Sequence, residues 1–312
     1  MFGLGLALAA GVHAGNWPSW RGDLAGSGLA KGETVPLKWD TKQNVRWRVP
    51  LPDRGNSSPI VWGDKVFITQ ATDADKRRTV MCFDKRTGEL AWKESRNYET
   101  PVECDHSYAT PHVVQYQGRE AIVVWGAERL TIHNAADGKL FWTCEGFNPD
   151  QRSNWVQVAS SVLAGDMAIV PYGRGKHLAG IELSGDGDVT QSNRKWTLTG
   201  TGSFVPTPAV KDGKVYVLGD RGSVTLLDSR TGNKLWYGQF PKNRASYYSS
   251  PTVADGKLYA SREDGVIMVA GITDGFKFLA ENNMGERIIA TTVPVRDQLL
   301  IRGEKHLFCI AN

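Results

Sequence analysis

The residues with the clearest capacity for binding chemistry are arginines that recur in short polar turns. Arg174, Arg221 and Arg262 each follow an apolar, strand-like segment, and the pattern returns near residue 302. A guanidinium group is planar and presents five donors, so it suits carboxylate and phosphate oxygens. We therefore predict a site for a partner protein or an anionic ligand, formed by Arg54, Asn56, His106, Trp155, Arg174, Arg221, Arg244, Arg262 and Arg302.

A second interpretation of these turns needs no ligand. Hairpin turns are commonly charged because they face water, and Glu128, Glu263 and Glu304 lie in the same turns, where they would pair locally with arginines. His106 is the most interesting titratable residue, since Cys104 and Tyr108 lie close to it in the sequence. A lone histidine without an identifiable Asp or Ser partner is more commonly structural.

The sequence carries no recognisable catalytic motif. It has no H-E-x-x-H, G-x-S-x-G or C-x-x-C motif and no phosphate-binding loop. Residues 186–188 read Asp-Gly-Asp but lack the remaining ligands of a calcium-binding EF-hand loop. We predict no catalytic residue and no metal site, and a binding role is favoured over an enzymatic one.

The four cysteines have no spacing typical of a metal site. Cys82 and Cys309 lie in apolar runs, so we expect their thiols to be buried. Cys104 and Cys144 have more polar surroundings. In an oxidising compartment these two could form a disulfide, and otherwise they are two further free thiols.

A unit that repeats along the chain carries these residues. In its clearest copy, residues 210–236, an Asp-Gly turn joins two strands of alternating apolar residues, and a Thr-Gly turn leads into a strand ending in Lys-Leu-Trp. Four short strands joined by tight glycine turns are typical of one blade of a β-propeller. The 34 glycines in 312 residues agree with so many turns.

A tryptophan occupies the last strand of most units, at spacings of 40 to 54 residues. One ring per blade predicts docking against the neighbouring blade, which would bury roughly 150–250 Å² each. The alternative, a platform for a sugar or a cofactor, needs one such ring rather than several. The predicted docking residues are Trp47, Trp92, Trp142, Trp196 and Trp236.

Six candidate first strands define the number of blades, and they begin at Ser58, Thr110, Ser160, Thr207, Ser250 and Thr291. The sixth unit has no fourth strand, whereas residues 45–48 form a fourth strand with no unit before it. Joining the two would remove the exposed edges that an open array leaves. We predict an all-β propeller of six four-stranded antiparallel blades, closed 3+1 by the strand around Trp47.

The series D-G-K-V-Y-V, L-D-x-x-T-G and K-L-W resembles the pyrroloquinoline-quinone-like (PQQ-like) repeat of exported bacterial β-propellers, over about residues 45–312. Residues 16–22, N-W-P-S-W-R-G, are similar to the opening of exported members of that family. The resemblance implies a single propeller domain at 45–312, preceded by a segment at 15–44. WD-repeat propellers match less well, because no unit ends in Trp-Asp.

The resembled family contains both scaffolds and enzymes. Its scaffold members imply a non-catalytic module that binds a partner protein or an anionic ligand, and this is the leading hypothesis. The alternative is a divergent quinone-dependent oxidoreductase or a carbohydrate-active propeller enzyme. Quinone dehydrogenases of the family use eight blades, two adjacent cysteines and calcium-binding acidic groups. Six units and four separated cysteines give PQQ no support, so we predict no cofactor.

Charge and hydropathy limit the classes of partner and the cellular compartments that fit the sequence. The 37 Lys and Arg against 33 Asp and Glu leave a net charge of +4, too little for a surface that follows nucleic-acid phosphates. No apolar run reaches the roughly 18 residues of a membrane-spanning helix. Residues 1–14 are apolar and end in Val-His-Ala, which resembles a signal-peptidase site, although no basic residue precedes Arg21. We expect a periplasmic or secreted monomer.

Overall fold

The structure is a computed structural model that describes residues 16–19, 42–53, 59–74, 76–295 and 298–311. Every helix or strand element in these ranges is a β-strand, which confirms the all-β prediction. The strands form six sheets that follow one another along the chain. The predicted leader at 1–14 lies outside the described residues, as does most of the segment at 15–44.

The first sheet contains β1 (Ile60–Trp62), β2 (Lys65–Thr72), β3 (Arg77–Asp84) and β4 (Leu90–Ser95). The second contains β5 (His112–Tyr116), β6 (Arg119–Gly126), β7 (Arg129–Asn134) and β8 (Leu140–Cys144). The third contains β9 (Val162–Ala164), β10 (Met167–Tyr172), β11 (His177–Glu182) and, after the short β12 (Gly187–Asp188), β13 (Arg194–Thr199). Strand β12 leaves its own sheet and pairs in parallel with β8.

The fourth sheet contains β14 (Ala209–Lys211), β15 (Lys214–Leu218), β16 (Ser223–Asp228) and β17 (Lys234–Gln239). The fifth contains β18 (Thr252–Ala254), β19 (Lys257–Arg262), β20 (Val266–Gly271) and β21 (Lys277–Asn283). The sixth contains β22 (Val293–Val295), β23 (Gln298–Arg302) and β24 (Leu307–Ala311). Within each sheet, consecutive strands pair in antiparallel order.

Local sequence explains the repeated hairpins. Asp212 and Gly213 have φ of 50° and 70°, and a two-residue type I′ turn needs positive φ at both central positions. A β-bulge also recurs between third and fourth strands, directly beside the residue opposite the tryptophan, as at Cys82 opposite Trp92. The second and fourth sheets repeat this bulge. The register of each sheet therefore fixes where its tryptophan lies.

Apolar side chains fill the spaces between successive sheets. Ile60 and Phe67 of the first sheet share a buried cluster with Val113 of the second. The second and third sheets share the largest cluster, and clusters also join the third to the fourth, the fourth to the fifth and the fifth to the sixth. Each sheet thus packs face to face on the next, as the blades of a propeller do.

The inner strands of neighbouring sheets are joined by hydroxyl groups, which we call the hydroxyl chain. Its members precede the inner strands in the same register, and they are Thr110, Ser160, Thr207, Ser250 and Thr291. The backbone N–H of each donates to the hydroxyl oxygen of the next, at 3.1, 3.0, 3.1 and 3.1 Å in order. This contact holds the inner strands of successive sheets at a constant separation.

The tryptophans join the outer parts of the sheets. The indole N–H groups of Trp47, Trp92 and Trp196 donate to backbone carbonyls of the following sheet at 2.9, 3.2 and 3.0 Å. Each ring also lies on a turn glycine. A Cβ added at Gly88 would stand 2.6 Å from the ring of Trp47, so only glycine permits this approach. Trp142 is fully buried, and Trp236 packs against Phe276 at 6.2 Å between ring centroids.

Closure of the ring stays a prediction. Residues 45–50 lie outside any sheet, and the described part of the sixth sheet has three strands. Trp47 nevertheless contacts the first sheet in the same way as Trp92 contacts the second. The thiol of Cys309 is exposed, so the expectation that it is buried was wrong. Its strand, β24, has no fourth strand beside it, whereas the third strands of the other sheets are covered.

We predict that residues 45–48 pair with β24 when the ring closes. In the first sheet Phe67 pairs with Cys82, and Cys82 is opposite Trp92. Leu300 and Cys309 are the corresponding pair of the sixth sheet, so the same register sets Trp47 opposite Cys309 and Arg48 opposite Phe308. Opposed Cα atoms of antiparallel strands are about 4.5–5.5 Å apart, within reach of a disulfide.

The double variant Arg48→Cys, Phe308→Cys should therefore form a disulfide under mild oxidation. Non-reducing electrophoresis of a proteolytic digest and mass spectrometry of the linked peptides would detect it. The matched control is Arg48→Cys alone, because the native Cys309 is one residue away from Phe308 and its side chain points to the other face of the sheet. Linkage of both variants to the same extent, or of neither, would contradict the register.

Candidate functional site

Two kinds of connection lie on one face of the ring, because successive antiparallel strands reverse direction. We call it the link face. Its turns between second and third strands include 127–128, 173–176, 219–222, 263–265 and 303–306, and its links into inner strands include 96–111, 145–161, 200–208, 240–251 and 284–292. All predicted site residues that the structure describes lie in these segments or at the strand ends beside them.

The first two of these links pair with each other to form a ribbon above the second sheet. The N–H of Tyr108 donates to the carbonyl of Gln157 at 2.8 Å, and the N–H of Gln157 donates to the carbonyl of His106 at 3.2 Å. The Gln157 side chain is buried, and its Oε1 accepts from the N–H of Ala127 at 3.1 Å. The ribbon is therefore anchored to the second sheet, and it presents Tyr108 to solvent with 68% of its surface exposed.

His106 and Trp155 belong to this ribbon but differ in exposure. His106 is exposed, and its Nε2 lies 3.7 Å from Asp105, whose carboxylate also pairs with Arg78 at 3.0 Å. Trp155 is buried, and its ring centroid lies 5.6 Å from that of His177. The structure thus gives Trp155 a place in the core beneath the ribbon, and His106 a place in a surface charge cluster.

Three of the predicted arginines lie together, and we call Arg174, Arg221 and Arg244 the cationic sector. Arg174 donates to a backbone carbonyl at 3.0 Å, and its guanidinium stands 4.3 Å from the ring centroid of Phe204. Arg221 donates to the carbonyl of Arg244 at 2.6 Å. All three are exposed. No acidic side chain in the described part of the chain forms an ion pair with them, so their charges face solvent unneutralised.

A groove of about 620 Å³ runs beside the cationic sector, between the third and fourth sheets. Arg174, Arg221, Lys234 and Tyr237 contribute to its lining. Gly202, in its lining, packs so closely on the third sheet that a Cβ there would lie 2.6 Å from the carbonyl oxygen of His177. Three cations, an exposed tyrosine ring and short backbone walls suit an extended anionic segment better than a compact apolar ligand.

Asp220 is the acidic residue that lines the groove, and the fold already uses its charge. Its carboxylate accepts from the N–H groups of Phe204 at 2.9 Å and Val205 at 3.1 Å. These charge-assisted bonds hold the link at 200–208 against the turn at 219–222. Asp220 therefore shapes the groove and leaves the arginines free.

The remaining arginines lie in different environments. Arg262 is buried, with its Nε 2.8 Å from Asp264 and its Nη2 3.9 Å from Glu281. This pairing sets Arg262 inside the fifth sheet, away from the cationic sector. Arg302 is exposed beside the central channel. Arg54 and Asn56 lie outside the described residues.

The fifth and sixth sheets fit the interpretation in which turn charges pair locally. Arg287 pairs with Glu304 at 3.1 Å and with Glu263 at 3.7 Å. Glu128 of the second sheet instead accepts from the side-chain amide of Asn148 at 2.5 Å, and burial raises its pKa. Local neutralisation thus describes one side of the link face, and the cationic sector is the exception to it.

A second cavity, of about 610 Å³, opens at the mouth of the central channel. The five members of the hydroxyl chain line it. Tyr108, Val158, Val205, Tyr248 and Ile289, each two residues before one of these hydroxyls, form a collar around it. Arg302 supplies the charge at its edge.

The cysteines are free thiols, and three of them are buried. Burial raises the pKa of Cys82 and that of Cys104 to about 11, so these thiols stay protonated and unreactive. Cys104 donates to the backbone carbonyl of Arg152 at 3.2 Å, and Cys144 lies 3.7 Å from Arg194. The disulfide considered between Cys104 and Cys144 is therefore not formed.

The residues present do not fit the calcium and quinone pair of the resembled dehydrogenases. The described residues contain no group of three His, Cys, Asp or Glu side chains that could hold a metal ion. The channel mouth offers hydroxyls, apolar side chains and one arginine instead of acidic ligands.

Comparison with known proteins agrees with this architecture. Residues 10–236 and 185–278 match a family model described as outer membrane protein assembly factor BamB. The chain belongs to this family. No curated protein sequence matches it significantly. The BamB-family chain has no helix able to cross a membrane among its described residues.

Solved structures share the propeller at low sequence identity. BamB from Moraxella catarrhalis is 18% identical with a TM-score of 0.62, and the alignment covers 86% of this chain and 76% of that one. Quinohemoprotein alcohol dehydrogenase from Comamonas testosteroni is 16% identical with a TM-score of 0.65. That alignment covers 97% of this BamB-family chain but 53% of the dehydrogenase, so the chain spans about half its length. The PQQ-like repeat propeller predicted from the sequence is confirmed.

Several residues of the site carry no clear signal in the sequence. Lys234 and Tyr237 reach the groove because β17 borders it, and neither stands out among surface residues. The hydroxyl chain did leave a signal in the sequence, the Ser or Thr before each inner strand, although that pattern alone indicates blades and not a shared cavity. The pairing of two distant links into a ribbon left no signal in the sequence.

His133 leads to a prediction about acid. It is buried in β7, with Nδ1 3.0 Å from the carbonyl of Gly138 and Nε2 3.0 Å from the hydroxyl of Thr131. Burial, together with the nearby Arg96 charge, lowers its pKa to about 4. The unfolded chain, with a pKa near 6.5, binds a proton that the folded protein excludes. Stability from this residue is therefore present above about pH 6.5 and is lost as the pH falls toward 4.

We expect His133 to remove about 2 kcal/mol from the free energy of unfolding between pH 7 and pH 5. Urea unfolding at both values would measure this. Over the same interval, the free energy of unfolding of His133→Asn should fall by about 2 kcal/mol less than that of the wild type. His106→Asn, at an exposed site, should match the wild type. If His133→Asn and the wild type showed the same pH dependence, the assignment would be wrong.

Proposed function

We propose that the protein is a non-catalytic binding module that holds an acidic segment of a partner protein in the groove beside the cationic sector. The observation that carries the proposal is the exposure of Arg174, Arg221 and Arg244 without an acidic partner in the described part of the chain. Arg262 and Arg287, elsewhere on the link face, are in ion pairs with acidic side chains. An acidic segment would supply the missing counter-charges.

The physical argument rests on the state of these charges before binding. Exposed guanidinium groups attract an acidic partner over about a Debye length, which raises the association rate. Arg174 is already ordered by its contact with Phe204, and Arg221 by its bond to the carbonyl of Arg244. Less side-chain freedom is lost on binding when the side chain is held in advance.

Family membership supports a role in the cell envelope. The family description names an outer membrane protein assembly factor, and the BamB structure shares the fold. We propose that this protein is likewise exported, with residues 1–14 as a signal peptide, and that it meets its partner in the periplasm. The quinone alternative has the fold likeness to the dehydrogenase as support, but the residues do not fit its cofactor.

The test is a charge reversal on the link face. We expect Arg174→Glu, Arg221→Glu and Arg244→Glu together to weaken binding of the partner at least tenfold, because several exposed charge pairs of up to about 1 kcal/mol each change sign. A photo-crosslinking residue at position 221 in the native host would identify the partner, and titration with that purified partner at two salt concentrations would measure affinity.

The matched control reverses three lysines on the opposite face, Lys139→Glu, Lys211→Glu and Lys214→Glu, which changes the net charge by the same amount. It should bind as the wild type does. Equal affinity for the wild type and the arginine variant, or an equal loss in both variants, would rule out the cationic sector as the binding site.

A further inference from the structure

The hydroxyl chain has a second property besides joining the inner strands. Four of its hydroxyl oxygens, on Ser160, Thr207, Ser250 and Thr291, each accept a hydrogen bond from the preceding sheet. A hydroxyl group has one proton to donate in addition to its acceptor sites. In the part of the chain that the structure describes, none of these four protons goes to an acceptor. The fold therefore uses these hydroxyl oxygens as acceptors and leaves their O–H groups available to donate.

These donors converge on one place. All four hydroxyl residues, together with Thr110, line the cavity of about 610 Å³ at the channel mouth. They approach it from successive sheets, so they surround the channel axis instead of lying along one wall. A group of donors around a single point suits a single acceptor group with several lone pairs.

The electrostatic environment specifies the sign of that group. Arg302 is the charged residue that lines the cavity, and no carboxylate in the described chain does so. One guanidinium and a ring of hydroxyl donors match one carboxylate, whose two oxygens accept about four hydrogen bonds. The cavity volume falls within the range of about 300–1,000 Å³ typical of small-ligand sites.

The collar above the hydroxyls specifies what is attached to the carboxylate. Tyr108 is 68% exposed and Ile289 is 45% exposed, and Tyr248, Val158 and Val205 complete the rim. Exposed apolar side chains that encircle a polar floor gain from contact with an apolar group. A ligand with a carboxylate at one end and an aromatic or aliphatic group beside it would meet both layers at once.

We propose that the mouth of the central channel is a binding site for a single carboxylate attached to an apolar group. About four of the five hydroxyls, on Thr110, Ser160, Thr207, Ser250 and Thr291, donate to the two carboxylate oxygens at a time. Arg302 neutralises the carboxylate, and the collar covers the apolar group. Two sources offer this chemistry, the C-terminus of a polypeptide and a small free acid. The site adjoins the groove of the cationic sector, since Tyr248 lines both cavities, but its hydroxyls and Arg302 do not line that groove.

Isothermal titration with N-acetyl-L-phenylalanine tests the proposal, with N-acetyl-L-phenylalaninamide as the uncharged comparison. We expect saturable binding of the acid at one site and at least tenfold weaker binding of the amide, since a charge-assisted bond is lost. An alanine peptide ending in phenylalanine, with either a free or an amidated C-terminus, forms the second arm. Tighter binding of the free-terminus peptide than of the small acid assigns the site to chain termini, and the reverse assigns it to free acids.

Two variants locate the site. Thr110→Val removes a cavity hydroxyl whose oxygen accepts no hydrogen bond from the residues that the structure describes, and it should weaken acid binding about tenfold. Arg302→Gln should do the same. Arg221→Gln, in the cationic sector, should bind the acid as the wild type does, and thermal melting would confirm that all variants are folded. Equal binding of acid and amide, or unchanged affinity in both Thr110→Val and Arg302→Gln, would overturn the proposal, whatever the outcome of the charge reversal.

Discussion

The hydrogen bond from the backbone N–H of one inner strand to a hydroxyl of the next sheet sets the geometry of the ring. Its length of 3.0–3.1 Å recurs at four successive junctions. The side chain that accepts it is short, so the sheets are held close together on the inside. Tryptophans span the outside, where Trp92 and Trp196 reach from a fourth strand to the next sheet. A short link inside and a long one outside give each junction the shape of a wedge, and wedges placed in succession curve the array.

The turns of the link face differ from sheet to sheet, because some use their charges for structure and others leave them exposed. Arg262 illustrates the structural use, because it is buried against Asp264 and Glu281, and losing one partner of a buried pair is costly. Arg221 lies in the corresponding turn of the fourth sheet, at the position that Asp264 occupies in the fifth, and it bonds only a backbone carbonyl. A turn arginine thus serves stability in one sheet and is available for binding in another. The sheet-to-sheet difference is what gives a chain of net charge +4 a localised cationic surface.

The sequence predicted the features that repeat and missed those that depend on a single neighbour. Trp92 could be placed because its strand, its turn glycine and its period recur, and register then fixed its contact with the next sheet. Arg262 and Arg221 could not be told apart, since the deciding acids are Asp264, two residues away, and Glu281, on another strand. Cys309 was expected to be buried because its local sequence is apolar, but burial of a third strand depends on the fourth strand beside it. The link ribbon depends on residues about 50 positions apart, which no local pattern records.

Because the hydroxyl chain already holds its oxygens in place, a binding site at the channel mouth would need little further ordering of side chains. A hydroxyl in a flexible loop loses rotational freedom when it donates to a ligand. Here Thr207 and Ser250 already accept a backbone hydrogen bond, so their oxygens are fixed before any ligand arrives, and both residues line the cavity. Donors that are preorganised in this way stabilise an anion without reorganising when it binds. The contact that builds the ring therefore also prepares its centre for an anion, and a substitution that removed the donor would disturb the fold at the same point.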